Sequence, residues 1–310
     1  MIDGPKLSGV ISVKTNPRLT EAYRAARIEL IDDTSRYIIM SDCHRGDGSR
    51  SDEFLKNKNT YVAALNYYWK NGFTYVEAGD GDELWEHKPK HIIRANRAVW
   101  THLLPFHRAG RFIRMWGNHD FVFQDPSYVR EHFWTTKNAI TGEQEPFFEG
   151  LEPVEAVVFR HRETGQDILL VHGHQGDFPN DQAWRASRFM LRRFWRYAHT
   201  FGMHSPSSPT ANSEKRHKVE RNYVKWISEN RVALICGHTH REKFPRDDAM
   251  PYFNSGSCVY PSHITGIEIS DGTIALVRWR VDPNEDALLQ VTRRVVAGPE
   301  PLSTFDLRRR

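Results

Sequence analysis

Five short polar motifs, each standing just behind a run of apolar residues, constrain this chain more than any other feature of it. The runs are Tyr37–Met40, Thr74–Ala78, Phe112–Trp116, Ile168–Val171 and Val232–Cys236. Each has the length and the β-branched or aromatic character of a buried strand. Behind them come Asp42-Cys43-His44, then Gly79-Asp80-Gly81-Asp82-Glu83-Leu84-Trp85, then Gly117-Asn118-His119-Asp120, His172-Gly173-His174 and Gly237-His238-Thr239-His240. Any one of these alone reads as a turn. Five in succession at predicted strand ends read as one site, because the carboxyl ends of the strands of an open α/β sheet share an edge.

The rest of the pattern fits that frame. Helical periodicity over Asp52–Asn71 and His91–Ala109 separates the first three runs, which argues for an α/β core. The C-terminal third turns to strands, Tyr252–Ser255, Ile264–Ile269 and Ile274–Arg280, the last two joined by the turn Asp271-Gly272. The expected fold is an α/β two-sheet β-sandwich flanked by helices over residues 1–282, with residues 283–310 as a C-terminal tail. One segment interrupts it. Asp181–His199 reads as a basic helix and Met203–Asn212 as a Ser/Pro-rich loop, together an insertion at about 181–212. Arg185, Arg188, Arg192 and Arg196 fall on one stripe of that helix, opposite Trp184, Leu191, Phe194, Trp195 and Ala198.

Charge and cysteine content narrow the classes. The net charge of +4 arises from 43 basic and 39 acidic residues interspersed along the chain, too little to mark a nucleic-acid binder. No run approaches the roughly 20 apolar residues of a membrane span. The first residues carry no apolar stretch before a small-residue cleavage site, and the three cysteines form no CxxC pair. A reducing cytoplasm is therefore expected. Oligomeric state is not readable from the sequence.

The motifs offer carboxylate, imidazole and amide oxygen donors and no obvious thiolate, a set that suits Mn²⁺, Zn²⁺ or Fe. Over about Ile38 to Ser257 the chain resembles the calcineurin-like metallophosphoesterases, whose signature is Asp-x-His, Gly-Asp, Gly-Asn-His-Asp/Glu, a lone His and Gly-His-x-His. The resemblance implies that Asp42, His44, Asp80 and His240 hold a first divalent cation, and that Asp80, Asn118, His172 and His238 hold a second. Asp80 would bridge them, and Mn²⁺ is the first expectation for both. His172 follows its strand directly and is preferred to His174, which stays as the alternative. The implied chemistry is cleavage of a phosphoester or pyrophosphate bond by metal-activated hydroxide. His119 would serve the leaving oxygen as the catalytic His, with Asp120 orienting it. Asp120 also reads as a helix cap before Phe121.

Gly79-Asp80-x-x-Glu83-x-Trp85 and Gly237-His238-Thr239-His240-Arg241 resemble the UDP-2,3-diacylglucosamine pyrophosphatases, which carry a lid where this chain has its basic insertion. Two positions differ from that branch: His119 stands where it has Arg, and His174 where it has Asp. The substrate is left as a phosphorylated small molecule or a nucleotide-linked one. A phosphodiesterase and a protein Ser/Thr phosphatase are the rival enzymes, and a non-catalytic metal-binding scaffold is the rival class.

Arg45, close behind the first motif, is a candidate for a substrate phosphate or for a salt bridge to Asp47 or Asp82. Arg188 and Arg192 are candidates for an anionic substrate under a lid. The helix at 184–196 also reads as a peripheral membrane contact or as a solvated face. Asp177 and Asp181 read as partners of the ligand His or as turn and cap residues.

Overall fold

The computed structural model describes residues 15–138, 141–175, 213–246 and 249–309. The Arg188 and Arg192 stripe, Asp177 and Asp181 lie outside them. Two sheets face each other. The larger takes β2 (Tyr37–Met40), β3 (Thr74–Ala78), β4 (Phe112–Met115), β11 (His263–Ser270), β12 (Thr273–Pro283) and β13 (Leu289–Pro301), in the order β13-β12-β11-β2-β3-β4. The smaller takes β1 (Arg27–Ile31), β7 (Ala156–His161), β8 (Asp167–Val171), β9 (Ala233–Cys236) and β10 (Tyr252–Asn254), in the order β1-β7-β8-β9-β10. A short hairpin of β5 (Thr135–Lys137) and β6 (Gln144–Pro146) stands apart. The expected α/β two-sheet sandwich flanked by helices is the architecture found.

Three apolar layers explain why the strand runs are almost continuously apolar. Val76 and Ala78 of β3 point between the sheets, with Ile39, Ile168, Leu170 and Ile235, while Tyr75 points outward. There Tyr75 meets Tyr61 and Leu65 of α2 (Lys58–Lys70) and Phe106 of α4 (Arg97–Arg108). On the smaller sheet Leu169 and Val171 point outward, against Leu19 of α1 (Thr15–Ala25) and Tyr223, Trp226 and Ile227 of the helix Ser213–Asn230. Strands covered on both faces need apolar side chains on both, and each fully buried Leu or Ile stabilises the fold by roughly 1.5–3 kcal/mol.

Two readings shift in detail. The first helical stretch divides into a 3₁₀ turn over Glu53–Asn57 followed by α2, and the second into α3 (Pro89–Ala95) and α4, broken at Asn96. Asp271 and Gly272 both take positive φ (50° and 69°), as a two-residue hairpin turn requires. The segment set apart as a tail is joined to the sandwich. β12 runs on to Pro283, β13 pairs along it, and Leu302 and Phe305 enter the layer between the sheets.

Candidate metal centre

Each motif emerges where its sheet ends. β2, β3 and β4 run parallel, so the loops beginning at Asp42, Asp80 and Asn118 leave one edge of the larger sheet together. β8 and β9 are parallel in the smaller sheet and deliver His172 and His238 to the same region. Backbone hydrogen bonds tie the loops. Asp42 N–H donates to Gly79 O (3.1 Å), His44 N–H to Asp80 O (2.9 Å) and Gly237 N–H to His172 O (2.8 Å).

The side chains converge in two abutting groups. In one, the donor atoms of Asp42, His44 and His240 lie within 4.8 Å of one another, and in the other those of Asp80, His172 and His238 do. Asp80 reaches both: its Oδ2 is 3.0 Å from His172 Nε2 and 3.9 Å from His44 Nε2. His119 joins His44 and Asp80 in a third grouping. Asn118 is buried between its motif neighbours. His174, though buried beside His172, falls in none of these groups.

Backbone conformation marks five of these residues. Asp42 (φ 53°), His44 (46°), Asp80 (51°), His238 (65°) and His240 (50°) are all left-handed. Non-glycine residues hold that region at a cost of roughly 1–3 kcal/mol each, and such strain concentrates at functional sites. The motif glycines answer a different need. A Cβ at Gly79 would stand 2.6 Å from His172 Nδ1, and one at Gly237 would stand 2.6 Å from Asp42 Oδ2. These loops pass directly over the ligating side chains, and only glycine leaves room.

The donor set fits divalent cations. His172 Nδ1 lies 2.9 Å from Ala78 O, which places a proton on Nδ1 and leaves Nε2 as the nitrogen that can ligate a cation once its own proton is given up. Despite the 3.0 Å approach, Nε2 makes no hydrogen bond, and Asp42 Oδ1 accepts none although His240 Nε2 is 3.1 Å away. Both atoms are thus unspent as hydrogen-bonding groups and open to a cation. Asp42 Oδ2, by contrast, is held by Ser41 Oγ and by His238 N–H (2.9 Å).

Protonation follows from this crowding. Burial raises the Asp42 carboxyl, but the His240 imidazole outweighs it and holds the group at about 2. Burial raises Asp80 too, and His172, His119 and His44 bring it well below the ordinary range. Burial depresses His172 and His44, yet Asp80 lifts the first to about 9, and the Glu83 hydrogen bond with the Asp80 charge lifts the second to about 10. Without cations, protons on the imidazoles balance the carboxylates. Cations would take their place.

Two sequence readings are corrected. Asp120 does not orient His119, and it makes no side-chain cap to the turn at Phe121. Its carboxylate accepts backbone N–H groups of Gly117 and of the Asp80 loop instead. The carboxylate on His119 is Glu83, whose Oε2 is 2.7 Å from His119 Nδ1 and 3.0 Å from His44 Nδ1. Trp85 stacks on the other side of His119, with ring centroids 4.1 Å apart and planes at 20°. The sequence signal for both was the motif Gly79-Asp80-x-x-Glu83-x-Trp85 itself. Arg45, expected to reach substrate or to pair with Asp47 or Asp82, is fully buried. Its guanidinium forks onto Glu77 (2.5 and 2.8 Å) and reaches Asp82 (2.8 Å), beneath the loops. Arg114 completes this buried network through Asp82 (2.6 Å) and Glu77 (3.3 Å).

No family model and no curated protein matches the chain. Among solved structures, it is similar to a conserved protein of Streptococcus pneumoniae TIGR4 described as a predicted phosphoesterase (14% identity, TM-score 0.35, covering 84% of this chain and 97% of that one). It is also similar to Vacuolar Protein Sorting 29 from Cryptosporidium parvum (12% identity, TM-score 0.38, 85% and 98%) and to Vps29 from Chaetomium thermophilum (11% identity, TM-score 0.37, 86% and 99%).

Proposed function

We propose that the protein is a metallophosphoesterase of the calcineurin-like kind, hydrolysing a phosphoester or pyrophosphate bond at a dinuclear centre. The observation that carries this reading is the pair of abutting ligand groups with Asp80 within reach of both. Asp42, His44 and His240 would hold one cation, and His172, His238 and Asn118 the other, with Asp80 shared. Two divalent cations at such a centre supply Lewis-acid activation of water and of the phosphoryl oxygens.

The protein's own groups do the remainder. His119 is more exposed than the ligands beneath it, its side chain 26% open to solvent. With Nδ1 on Glu83, its Nε2 is left to give a proton to the leaving oxygen. Burial works against protonation of His119, and the Glu83 and Asp80 charges restore it, so the pKa is raised. An imidazolium is the form a general acid needs. Trp85 fixes the ring plane.

The substrate is a phosphorylated small molecule or a nucleotide-linked one. Glu83 and Trp85, which carry the likeness to the UDP-2,3-diacylglucosamine pyrophosphatases, both rest on His119. They speak for the proton-transfer group and not for a lipid substrate. Among the described residues no helix is long and apolar enough to cross a membrane.

Protein loaded with Mn²⁺ or Zn²⁺ is expected to hydrolyse an aryl phosphate or its diester, and His119→Ala to lower kcat by roughly 10²–10⁴-fold. Inactivity with every metal and both ester classes would move the reading to the metal-binding scaffold.

A further inference from the structure

Asp120 is fully buried, and its carboxylate faces backbone amides on two sides. Gly117 N–H donates to Oδ1 at 2.7 Å and Asp80 N–H at 3.2 Å, while Gly81 and Asp82 N–H donate to Oδ2 at 2.9 and 3.4 Å. Three of these amides belong to the loop after β3 and one to the loop after β4. The return contact is made by Asp80, whose Oδ1 accepts from His119 N–H at 2.8 Å. Each loop's carboxylate thus caps the amides of the other, a reciprocal clasp between the segment carrying Asp80 and the segment carrying Asn118 and His119.

The clasp acts on a residue that needs enforcing. Asp80 sits at φ 51°, a conformation that a side-chain-bearing residue keeps only when its surroundings over-determine it. Beneath it, Arg114 lies 3.4 Å from Asp120 and is drawn more closely to Asp82. The clasp is therefore backed by a network that cannot shift without exposing buried charge. Both oxygens of Asp120 point at the protein backbone, so its reach to the centre is through Asp80.

We infer that Asp120 is a positioning residue that sets Asp80 as the bridge between the two cations, and that its loss uncouples the two sites while the domain stays folded. This rests on the dinuclear reading above. Carboxylates that orient metal ligands from behind typically change metal affinity 10–100-fold when replaced, and three amide donors from the Asp80 loop hold it more tightly than one would.

The test uses the full chain loaded with Mn²⁺. Metal content, binding isotherms and the electron paramagnetic resonance signature of an exchange-coupled Mn²⁺ pair are read together, at a temperature where circular dichroism shows native structure. Asp120→Asn removes the charge and turns an N–H₂ group toward backbone donors. It is expected to weaken Mn²⁺ binding by about 10–100-fold and to abolish the coupled signal. Leu103→Ala, a cavity in the helical layer away from the loops, is expected to lower Tm and leave the coupled signal intact. Should Asp120→Asn fail to fold, Asp120→Glu keeps the charge beside Arg114 and displaces the carboxylate by one methylene, with the same loss of coupling expected. A folded variant of either kind that binds two Mn²⁺ with wild-type affinity and coupling overturns the role given to Asp120. A wild type that never shows a coupled pair overturns the dinuclear reading itself.

Discussion

Glu83 Oε2 lies 2.7 Å from His119 Nδ1 and 3.0 Å from His44 Nδ1, so one carboxylate holds both a ligand of the first cation group and the proton donor. Burial opposes ionisation of Glu83, and the two imidazoles overcome it and push its pKa down. The group is therefore a fixed anion beside both rings, and its charge favours their protonated forms. Glu83→Gln keeps the shape and loses the charge. It is expected to lower kcat about 10²-fold with little change in KM, measured by steady-state hydrolysis of an aryl phosphodiester. Unchanged kcat would detach Glu83 from the chemistry.

Arg45 and Arg114 are buried against Glu77, Asp82 and Asp120, two cations among three carboxylates. Removing one cation leaves buried anions without compensation, which costs about 3–5 kcal/mol. Arg45→Met is thus expected to lower the urea midpoint sharply. A variant of wild-type stability with a raised KM would return Arg45 to the substrate-binding role that its position in sequence suggests.

How far the sequence discloses this molecule depends on which constraint each residue obeys. β2, β3, β8 and β9 are legible because layers on both faces demand apolar side chains, and a glycine or ligand ends the run. β13 escapes the same reading. Its Leu289, Val295 and Val296 are exposed on an edge strand, so neither apolar continuity nor strict alternation marks it. β1 is not read for a similar reason, since Ile28 and Leu30 of that edge strand are exposed. The cation ligands are legible because their residue types and spacings are themselves the chemistry. Of the alternatives held for Arg45 the salt bridge to Asp82 is the one found, while its second partner Glu77 was not legible because it lies within strand β3, a separate segment.

Glu86 gives the metal-free protein a pH dependence. Burial, then the charge of Glu83, raises its pKa from 4.5 to about 7. The folded state therefore favours the protonated form. The associated stability is present in full below pH 4.5 and is lost as pH rises through 7. With allowance for its partial exposure, the loss amounts to about 1–2 kcal/mol. Denaturation of metal-free protein at pH 5 and pH 8 should show wild type losing that much relative to Glu86→Gln. Parallel profiles would contradict the raised pKa.

Elemental analysis of the purified chain, after loading with Mn²⁺, Zn²⁺ or Fe and removal of free ions, bears most directly on the centre. Two transition-metal ions per chain are expected, falling to one or none in Asp80→Asn, because that carboxylate stands 3.0 Å from His172 of one ligand group and 3.9 Å from His44 of the other. A chain that retains no transition metal under any loading condition, or an Asp80→Asn variant that still retains two, would contradict the account.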